Sequence, residues 1–397
     1  MTLDTALPIG LVTRLRDAEE AIAAAETLAM LFRDSADRLD RTRELPLVEL
    51  TALAESGLLG IRVPREFGGA GVSYETVVRV FVILSQASGS LGQLPQNHFH
   101  LIDSIFIDGT VEQKQFFAAE ILAGRRFGNA LSERGSKPVL SPPDTTLIQT
   151  GNGTVILEGD KYYSTGALTA HWIPVLASTV DGEFSLTFVP RDADGVSVVD
   201  DWDAMGQRST HSGTVHLRGV EVPALYSLRP FDGFHRTDTF PPYASIIHAA
   251  VDVGIGLGVL DRGIELLQTI SRPWRTSGVE RAVDDPLTAY RLGTLATGVQ
   301  AAEQLLYEAA RRLDRADIAR TTTDYELAAV TVAQTSAFAS ETSERLASEL
   351  FEFIGARSTS DALNFHRYWR DVRTHSTHDP ARWKYHRAGS WLLGQDR

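Results

Sequence analysis

Apolar and polar positions along the chain divide it into three regions of different texture. From about Leu11 to Gly124 helix-forming residues dominate, as in the segment RDAEEAIAAAETLAMLFRDSADRL, and the pattern predicts helices. From about Phe127 to Pro230 short apolar runs follow one another at close spacing, which predicts β-strands. From about Tyr243 onward long segments carry small and apolar residues on more than one face, as expected of a buried helical bundle.

Local signals place two element boundaries within these regions. Gly151 to Gly153, between the runs LIQT and TVILEG, predicts a β-hairpin turn. Asp284 to Pro286 predicts the start of a helix, since acidic residues and proline favour the first helical turn. The chain is therefore expected to be an α+β protein with a helical domain (residues 1–124), a β-barrel or sandwich domain (125–230) and a helical bundle (231–397).

Composition narrows the classes of function. The 397 residues carry a formal net charge of -13 and no run of Lys or Arg, which argues against nucleic acid or an anionic membrane as the main partner. There is no cysteine, so disulfides and thiolate chemistry are excluded. The N-terminal segment lacks a signal-peptide pattern, and no run of about 18 apolar residues is evident. A cytoplasmic protein is expected.

Polar and aromatic residues near the expected domain junctions are candidates for holding a planar ligand. Asn129 and Ser132, in FGNALSERGS, are suited to hydrogen-bond the polar edge of a heterocycle, although the segment alone is better explained by a simple turn. Tyr163 and Thr165, in KYYSTGA, are suited to contact a ring system, but a tyrosine at a strand end is more often a core residue. Trp202 lies in a Gly-punctuated loop, where it either walls a pocket or covers apolar surface.

Charged residues of the last region suggest anion binding and proton transfer. Arg272 and Arg357 are potential phosphate ligands because guanidinium offers paired donors, with an ordinary surface position as the alternative. His375, His378 and Asp379 form the sequence RTHSTHDP, the most specific stretch of the chain. No third metal ligand is evident there, so an acid–base role is favoured over a metal site, with solvated histidines as the plain alternative.

From about Leu45 to Gly394 these segments together resemble one family. The motifs VPREFGG, PQNHF, FGNALSERG, KYYSTGAL, RPW, FEFIGARST and RTHSTHDPARWKYH occur in the order found in the dibenzothiophene monooxygenase group of the acyl-CoA dehydrogenase superfamily. The similarity is greater still to sulfur-acquisition oxidoreductases of the SfnB type. The resemblance implies the acyl-CoA dehydrogenase fold, with an N-terminal helical domain, a middle β-barrel and a C-terminal four-helix bundle.

The resemblance also implies a reaction. Reduced FMN, supplied by a separate NAD(P)H-dependent reductase, adds O2 at flavin C4a, and the hydroperoxide transfers one oxygen atom to a small organosulfur substrate. FAD is the alternative cofactor, and a homotetramer is the expected assembly. By this analogy the isoalloxazine is surrounded by Asn129, Ser132, Tyr163, Thr165 and Trp202. The phosphate is held by Arg272 and Arg357 from different subunits, and the reacting face is lined by His375, His378 and Asp379, with His378, His375 and Thr165 as catalytic residues.

Two positions depart from the pattern of the dibenzothiophene enzymes. Gln93 stands where those enzymes carry a histidine, and Asn97 where they carry a tyrosine. With His248, these residues are assigned to the substrate pocket. Large aromatic sulfides become doubtful substrates, and small alkyl sulfones, sulfoxides or sulfinates become the expected ones.

Two other functions remain open. A true FAD-dependent acyl-CoA dehydrogenase needs a carboxylate base. The segment YASIIHAAV, from Tyr243 to Val251, contains none, and Asp379 is the only nearby carboxylate identified. The other alternative is a flavin-binding protein without catalytic activity.

Overall fold

The helical stretches at the two ends of the chain pack on each other, and the strands between them form one sheet. The computed structural model describes residues 9–135 and 141–395. Ser136, the last residue of the FGNALSERGS segment, lies outside the described residues. The order of helical, β and helical regions confirms the predicted α+β class.

The N-terminal region forms six helices, several with side-chain caps that satisfy the free backbone N–H groups of the first turn. Asp17 caps the first helix and Ser73 the third, while Thr110 and Gln113 form a reciprocal capping box at the sixth. The helices are α1 (Ala18–Thr42), α2 (Leu47–Glu55), α3 (Tyr74–Ala87), α4 (Gly89–Gln93), α5 (Gln96–Asp108) and α6 (Val111–Leu122).

The middle region forms a single seven-stranded sheet in the order β5-β6-β2-β1-β3-β4-β7. The predicted hairpin at Gly151 to Gly153 is confirmed, since it joins β1 and β2 as an antiparallel pair, with both glycines at positive φ. β1 and β3 pair in parallel. The strands are β1 (Thr146–Gln149), β2 (Thr154–Lys161), β3 (Trp172–Thr179), β4 (Phe184–Pro190), β5 (Val196–Val199), β6 (Thr214–Pro223) and β7 (Ser227–Leu228).

Three long helices and two short ones complete the chain. The predicted helix start is confirmed, because Asp285 caps α8 with its side chain and Pro286 is the first helical residue. Gly355 ends α9 at positive φ. The helices are α7 (Phe240–Thr269), α8 (Pro286–Ala319), α9 (Thr322–Ile354), α10 (His366–His375) and α11 (Ala381–Leu392).

Helix α7 is the centre of the largest apolar core. This core joins side chains of α1 and α3 with those of α7, α8 and α9, so the predicted division between the first and last domains does not divide the core. Among the described residues α7 is long and apolar enough to cross a membrane, contrary to the expectation from sequence. However, 83% of its most apolar 18-residue window is buried in the protein, which is typical of a core helix.

Candidate active site

A cavity of about 480 Å³ lies between the N-terminal helices, the loops of the β region and the turn that joins α10 to α11. Ten residues predicted from sequence line this cavity: Gln93, Asn97, Asn129, Ser132, Tyr163, Thr165, Trp202, His375, His378 and Asp379. Five lining residues were not predicted: Gln207, Thr210, Ser212, Thr374 and Thr377. All fifteen carry hydrogen-bonding groups, and none is aliphatic.

Loops that follow the strands build the polar side of the cavity. The turn after β2 places Tyr163 at φ 55, a left-handed conformation that is costly for a residue with a side chain. The carbonyl of Tyr163 accepts a 3.2 Å hydrogen bond from the amide nitrogen of Asn129. The hydroxyls of Thr165 and Ser212 are 2.8 Å apart, and the rings of Tyr163 and Trp202 meet edge to face at 6.2 Å. These contacts hold the aromatic and polar groups in fixed positions.

Several buried polar atoms of the cavity residues find no hydrogen-bond partner within the described parts of the chain. They are the side-chain oxygen of Asn129, both amide atoms of Gln207 and the hydroxyl of Thr374. Gln207 is also held in a left-handed conformation, with its backbone N–H donating to the Asp371 carboxylate at 2.6 Å. Buried polar groups are normally paired, so this side of the cavity is prepared for a ligand with donors and acceptors.

The opposite side is formed by His375 and His378, which pack against His248 behind them, and these three residues make up a histidine cluster. His375 places Nδ1 2.6 Å from a carboxylate oxygen of Asp252 and Nε2 3.1 Å from the side-chain oxygen of Gln93. His375 Nε2 is also 2.9 Å from Nδ1 of His248. Both His375 and Asp252 are buried, so these contacts fix the ring orientation.

His378 occupies the more open part of the cluster. Its ring stacks on that of His248 with centroids 4.2 Å apart, and its Nδ1 is 3.7 Å from Asp379. The adjacent His378, with Lys384 at 3.6 Å, holds the pKa of Asp379 down at about 2. Burial, aided by the neighbouring His378 and His375, lowers the pKa of His248 well below its ordinary value. His248 is therefore a neutral ring between two polar neighbours.

Two expectations from sequence need correction. Asp379 is not the only nearby carboxylate, because Asp252 lies directly behind His375. Asp252 comes one residue after the segment Tyr243 to Val251, which contains no acidic residue. His248 does not line the cavity but lies behind His375 and His378. The sequence spacing of Asp252 could have identified it. Asp252 comes four residues after His248 on α7, so the two side chains lie on the same face of the helix.

Arg272 and Arg357 lie away from the cavity of their own chain. Both side chains are exposed, and Arg357 donates to the carbonyl of Ile270 at 3.2 Å, near the end of α7. The fifteen lining residues include no Arg or Lys. Within one chain, the cavity residues can therefore hydrogen-bond a planar polar ring, but no guanidinium group among them can bind a phosphate.

His98 and His100 lie on α5 close to Asn97, but their side chains have structural roles. His98 contacts the Leu59 carbonyl at 2.9 Å, and His100 contacts the Phe240 carbonyl at 3.2 Å. Burial lowers the pKa of each to about 4. Below the ordinary histidine pKa of about 6.5, these two side chains are protonated in the unfolded chain but still neutral in the folded protein. The free energy of unfolding therefore falls as the pH drops.

We expect this acid sensitivity to be measurable. Each of the two histidines accounts for a loss of about 2.5 kcal/mol of stability between pH 7 and about 4.5, and Asp371, whose pKa burial raises to about 6, opposes them with about 2 kcal/mol. The net loss of unfolding free energy is about 3 kcal/mol, measured by urea denaturation at a series of pH values. His100→Asn, which keeps a donor for the Phe240 carbonyl, reduces the slope. A stability that is flat or rises toward acid contradicts the assignment.

The fold and the cavity define a class of protein with a polar site, suited to a planar hydrogen-bonding ligand, between a β region and packed helices. Models of the acyl-CoA dehydrogenase N-terminal, middle and C-terminal domains match residues 16–125, 128–220 and 246–383. The chain belongs to the acyl-CoA dehydrogenase family.

Similar proteins narrow the class further. A dibenzothiophene monooxygenase of Rhodococcus qingshengii is 33% identical over 96% of this chain and 95% of its own length. A probable FMNH2-dependent monooxygenase, SfnC of Pseudomonas putida, is 28% identical, with 95% of each chain covered. FMN-bound TdsC from Paenibacillus sp. A11-2 superimposes with a TM-score of 0.88 at 30% identity, covering 94% of this chain and 97% of TdsC. The methanesulfinate monooxygenase MsuC of Pseudomonas fluorescens gives 0.86 at 25% identity, with the same coverage.

These similarities confirm the predicted family group, fold and enzyme class. The chain is a flavin-dependent oxidoreductase of the monooxygenase group, and FMN is the flavin of its relatives SfnC and TdsC. The unpaired atoms of Asn129 and Gln207 suit such a ring, since isoalloxazine offers both donors and acceptors along one edge.

Proposed function

We propose that this protein uses reduced FMN and O2 to add one oxygen atom to a small organosulfur compound in sulfur acquisition. The observation that carries the proposal is the composition of the cavity. Every lining residue carries a hydrogen-bonding group and none is Ala, Val, Leu, Ile or Met, which suits a polar sulfone, sulfoxide or sulfinate better than a fused aromatic sulfide. Gln93 and Asn97, the two departures from the dibenzothiophene enzymes, are part of these walls.

Each side of the cavity has its own task in this proposal. Asn129, Ser132, Gln207 and Thr165 would hold the flavin through hydrogen bonds, and Tyr163 and Trp202 would contact its ring. When bound, reduced FMN supplies the two electrons needed to activate O2. His378 manages the proton on the reacting oxygen, because histidine exchanges protons near neutral pH. A cavity closed by the ring leaves little room for the bulk water that would divert oxygen to hydrogen peroxide.

The proposal extends to partners. A separate NAD(P)H-dependent reductase supplies the reduced flavin, and the protein works as a cytoplasmic homotetramer. Support for the assembly comes from Arg272 and Arg357, which are exposed and do not line the cavity of their own chain. In this arrangement they hold the phosphate of FMN bound next door, since guanidinium groups suit phosphate oxygens.

Reconstitution tests the function. The purified protein is mixed with FMN, NADH, a flavin reductase and O2, and products are followed for methanesulfinate, dimethyl sulfone and dibenzothiophene. We expect oxygenation of a small sulfur compound at a rate well above that of the reductase alone. Flavin reduction by an acyl-CoA instead identifies a dehydrogenase, and flavin binding with neither reaction identifies a non-catalytic protein.

Arg272→Ala tests the phosphate assignment. Losing a charged hydrogen bond worth about 1.5–3 kcal/mol is expected to weaken FMN binding roughly 10- to 100-fold, measured by fluorescence titration. Arg275→Ala is the matched control, because Arg275 lies three residues along the same segment beside the exposed ring of Trp274. If the two variants bind FMN as tightly as the parent, the phosphate is held elsewhere.

A further inference from the structure

The hydroxyl of Thr374 lacks the hydrogen bond that helical threonines of this protein commonly make. Thr374 lies in the last turn of α10 and lines the cavity, and its buried hydroxyl has no hydrogen-bond partner within the described parts of the chain. A helical threonine can donate to the carbonyl four residues earlier. The threonines that do so are Thr27, Thr42, Thr51, Thr269, Thr294, Thr297, Thr331 and Thr335.

The packing around α10 gives the reason. The carbonyl four residues before Thr374 is that of Arg370, and a Cβ atom built at Gly206 would lie 2.0 Å from its oxygen. The backbone at Gly206 therefore crowds this carbonyl. Gln207, the next residue, donates its N–H to the Asp371 carboxylate at 2.6 Å. Because residues three and four apart share a helix face, Thr374 lies one turn beyond this contact on the same face of α10.

Other hydroxyls of the cavity are bonded within the protein. Those of Thr210 and Ser212 are 2.8 Å apart, and that of Thr377 donates to the carbonyl of Thr374 at 2.7 Å. The Thr374 hydroxyl instead shares its unpaired state with the nearby side chain of Gln207, which is 3% exposed and has no partner for either amide atom among the described residues. Buried polar groups are costly when unpaired, so these atoms are arranged for a bound ligand.

The Gln207 side chain limits what this ligand can be. An amide has an acceptor oxygen and a donor nitrogen, so only a ligand with donors and acceptors pairs both ends. A sulfone, a sulfinate or an ionised phosphate presents acceptors alone and leaves the amide oxygen unpaired. The flavin ring and the ribityl chain of FMN carry N–H and O–H donors as well as acceptors. These two parts of FMN therefore satisfy Gln207, and the Thr374 hydroxyl beside it can donate or accept.

We propose that Thr374 is a further cofactor-binding residue, whose hydroxyl hydrogen-bonds the flavin or ribityl part of FMN beside the Gln207 amide. The inference rests on the proposed function and adds a contact from α10 to those from the β region. Thr374 directly precedes His375, and both residues line the cavity. A hydrogen bond at Thr374 therefore fixes the flavin relative to the helix that carries His375.

Removing the hydroxyl separates a ligand contact from a structural role. Thr374→Val keeps the branched shape of the side chain and is expected to weaken FMN binding about 5- to 10-fold in fluorescence titrations. Riboflavin, which lacks the phosphate, is expected to lose affinity by the same factor. Without flavin, the variant is expected to resist urea at least as well as the parent, because an unpaired buried hydroxyl is removed. Thr374→Ser keeps the hydroxyl and is expected to restore most of the affinity.

Thr335→Val is the matched control. Thr335 is a buried helical threonine outside the cavity, and its hydroxyl donates to the Thr331 carbonyl at 2.8 Å. We expect this variant to bind FMN as the parent does. Parental FMN affinity in Thr374→Val overturns the inference, and so does a weakening that Thr335→Val shares. A weakening for FMN but not for riboflavin places the hydroxyl at the phosphate and overturns it as well.

Failure of this inference differs from failure of the monooxygenase function. If the parent oxygenates a sulfur compound and Thr374→Val binds FMN normally, only the role of Thr374 is lost. If Thr374→Val weakens the binding of FMN and riboflavin but the parent oxygenates no sulfur compound, the flavin contact stands and the monooxygenase function is removed.

Discussion

His378→Ala is expected to lower product formation about 100-fold or more while FMN stays bound. A positioned acid–base group typically contributes 10²–10⁴-fold to the rate of a proton-transfer step. His378 lines the cavity, stacks on neutral His248 and is adjacent to ionised Asp379, so its ring is held at the wall of the proposed reaction space. Removing the ring also leaves space for water on this side of the cavity.

The measurement is coupling, the ratio of oxygenated product to NADH consumed. In the variant we expect NADH consumption to continue and hydrogen peroxide to replace the product, because O2 still reacts with the bound reduced flavin. His386→Ala is the matched control, since His386 lies on α11 beside Trp383 and away from the cavity. Unchanged coupling in His378→Ala, or equal loss in both variants, removes the proposed role of His378.

Most of the lining residues that were predicted from sequence lie in recognisable motifs. FGNALSERG, KYYSTGAL and RTHSTHDP carry seven of the ten: Asn129, Ser132, Tyr163, Thr165, His375, His378 and Asp379. Asp252 belongs to none of them. It meets His375 only because α10 packs across α7, a contact between residues 123 positions apart.

The arginines show a second limit. The sequence suggested Arg272 and Arg357 as phosphate ligands. However, no local sequence pattern indicates whether a side chain contacts the cavity of its own subunit or that of another subunit. Arg272 follows the end of α7 and Arg357 follows the end of α9, and both side chains are exposed there. The fold class was easier to predict, because helical and strand periodicity are local properties of the sequence.

Gln207 shows a third limit, since its role depends on backbone packing. The segment DAMGQR reads as a loop in sequence, yet its left-handed glutamine presents an unpaired amide in the cavity. The loop reaches that position because Gly206 lies against the backbone of α10. A Cβ atom built at Gly206 would lie 2.0 Å from the carbonyl oxygen of Arg370 and 2.7 Å from the nitrogen of Asp371. Only glycine permits this approach.

Gly206→Ala is therefore expected to destabilise the protein by about 2–3 kcal/mol and to weaken FMN binding as well. Overpacking against a helix backbone costs about 1–3 kcal/mol, and here the loop also loses the 2.6 Å hydrogen bond from Gln207 to Asp371 as it moves away. Urea denaturation and FMN titration measure the two effects. Gly389→Ala is the control, because a Cβ there meets no atom within 4 Å and a helical alanine is favoured over glycine by about 0.5–1 kcal/mol.

The two measurements separate the causes. If Gly206 matters only for packing, the variant loses stability but binds FMN normally once folded. If the close approach of Gly206 to α10 is what aims Gln207 into the cavity, FMN affinity falls even under conditions where the variant is fully folded. We expect the second result, because the amide of Gln207 follows Gly206 directly and its backbone N–H is bonded to the same helix. A Gly206→Ala protein as stable as the parent, with unchanged FMN affinity, contradicts the packing on which the polar side of the cavity depends.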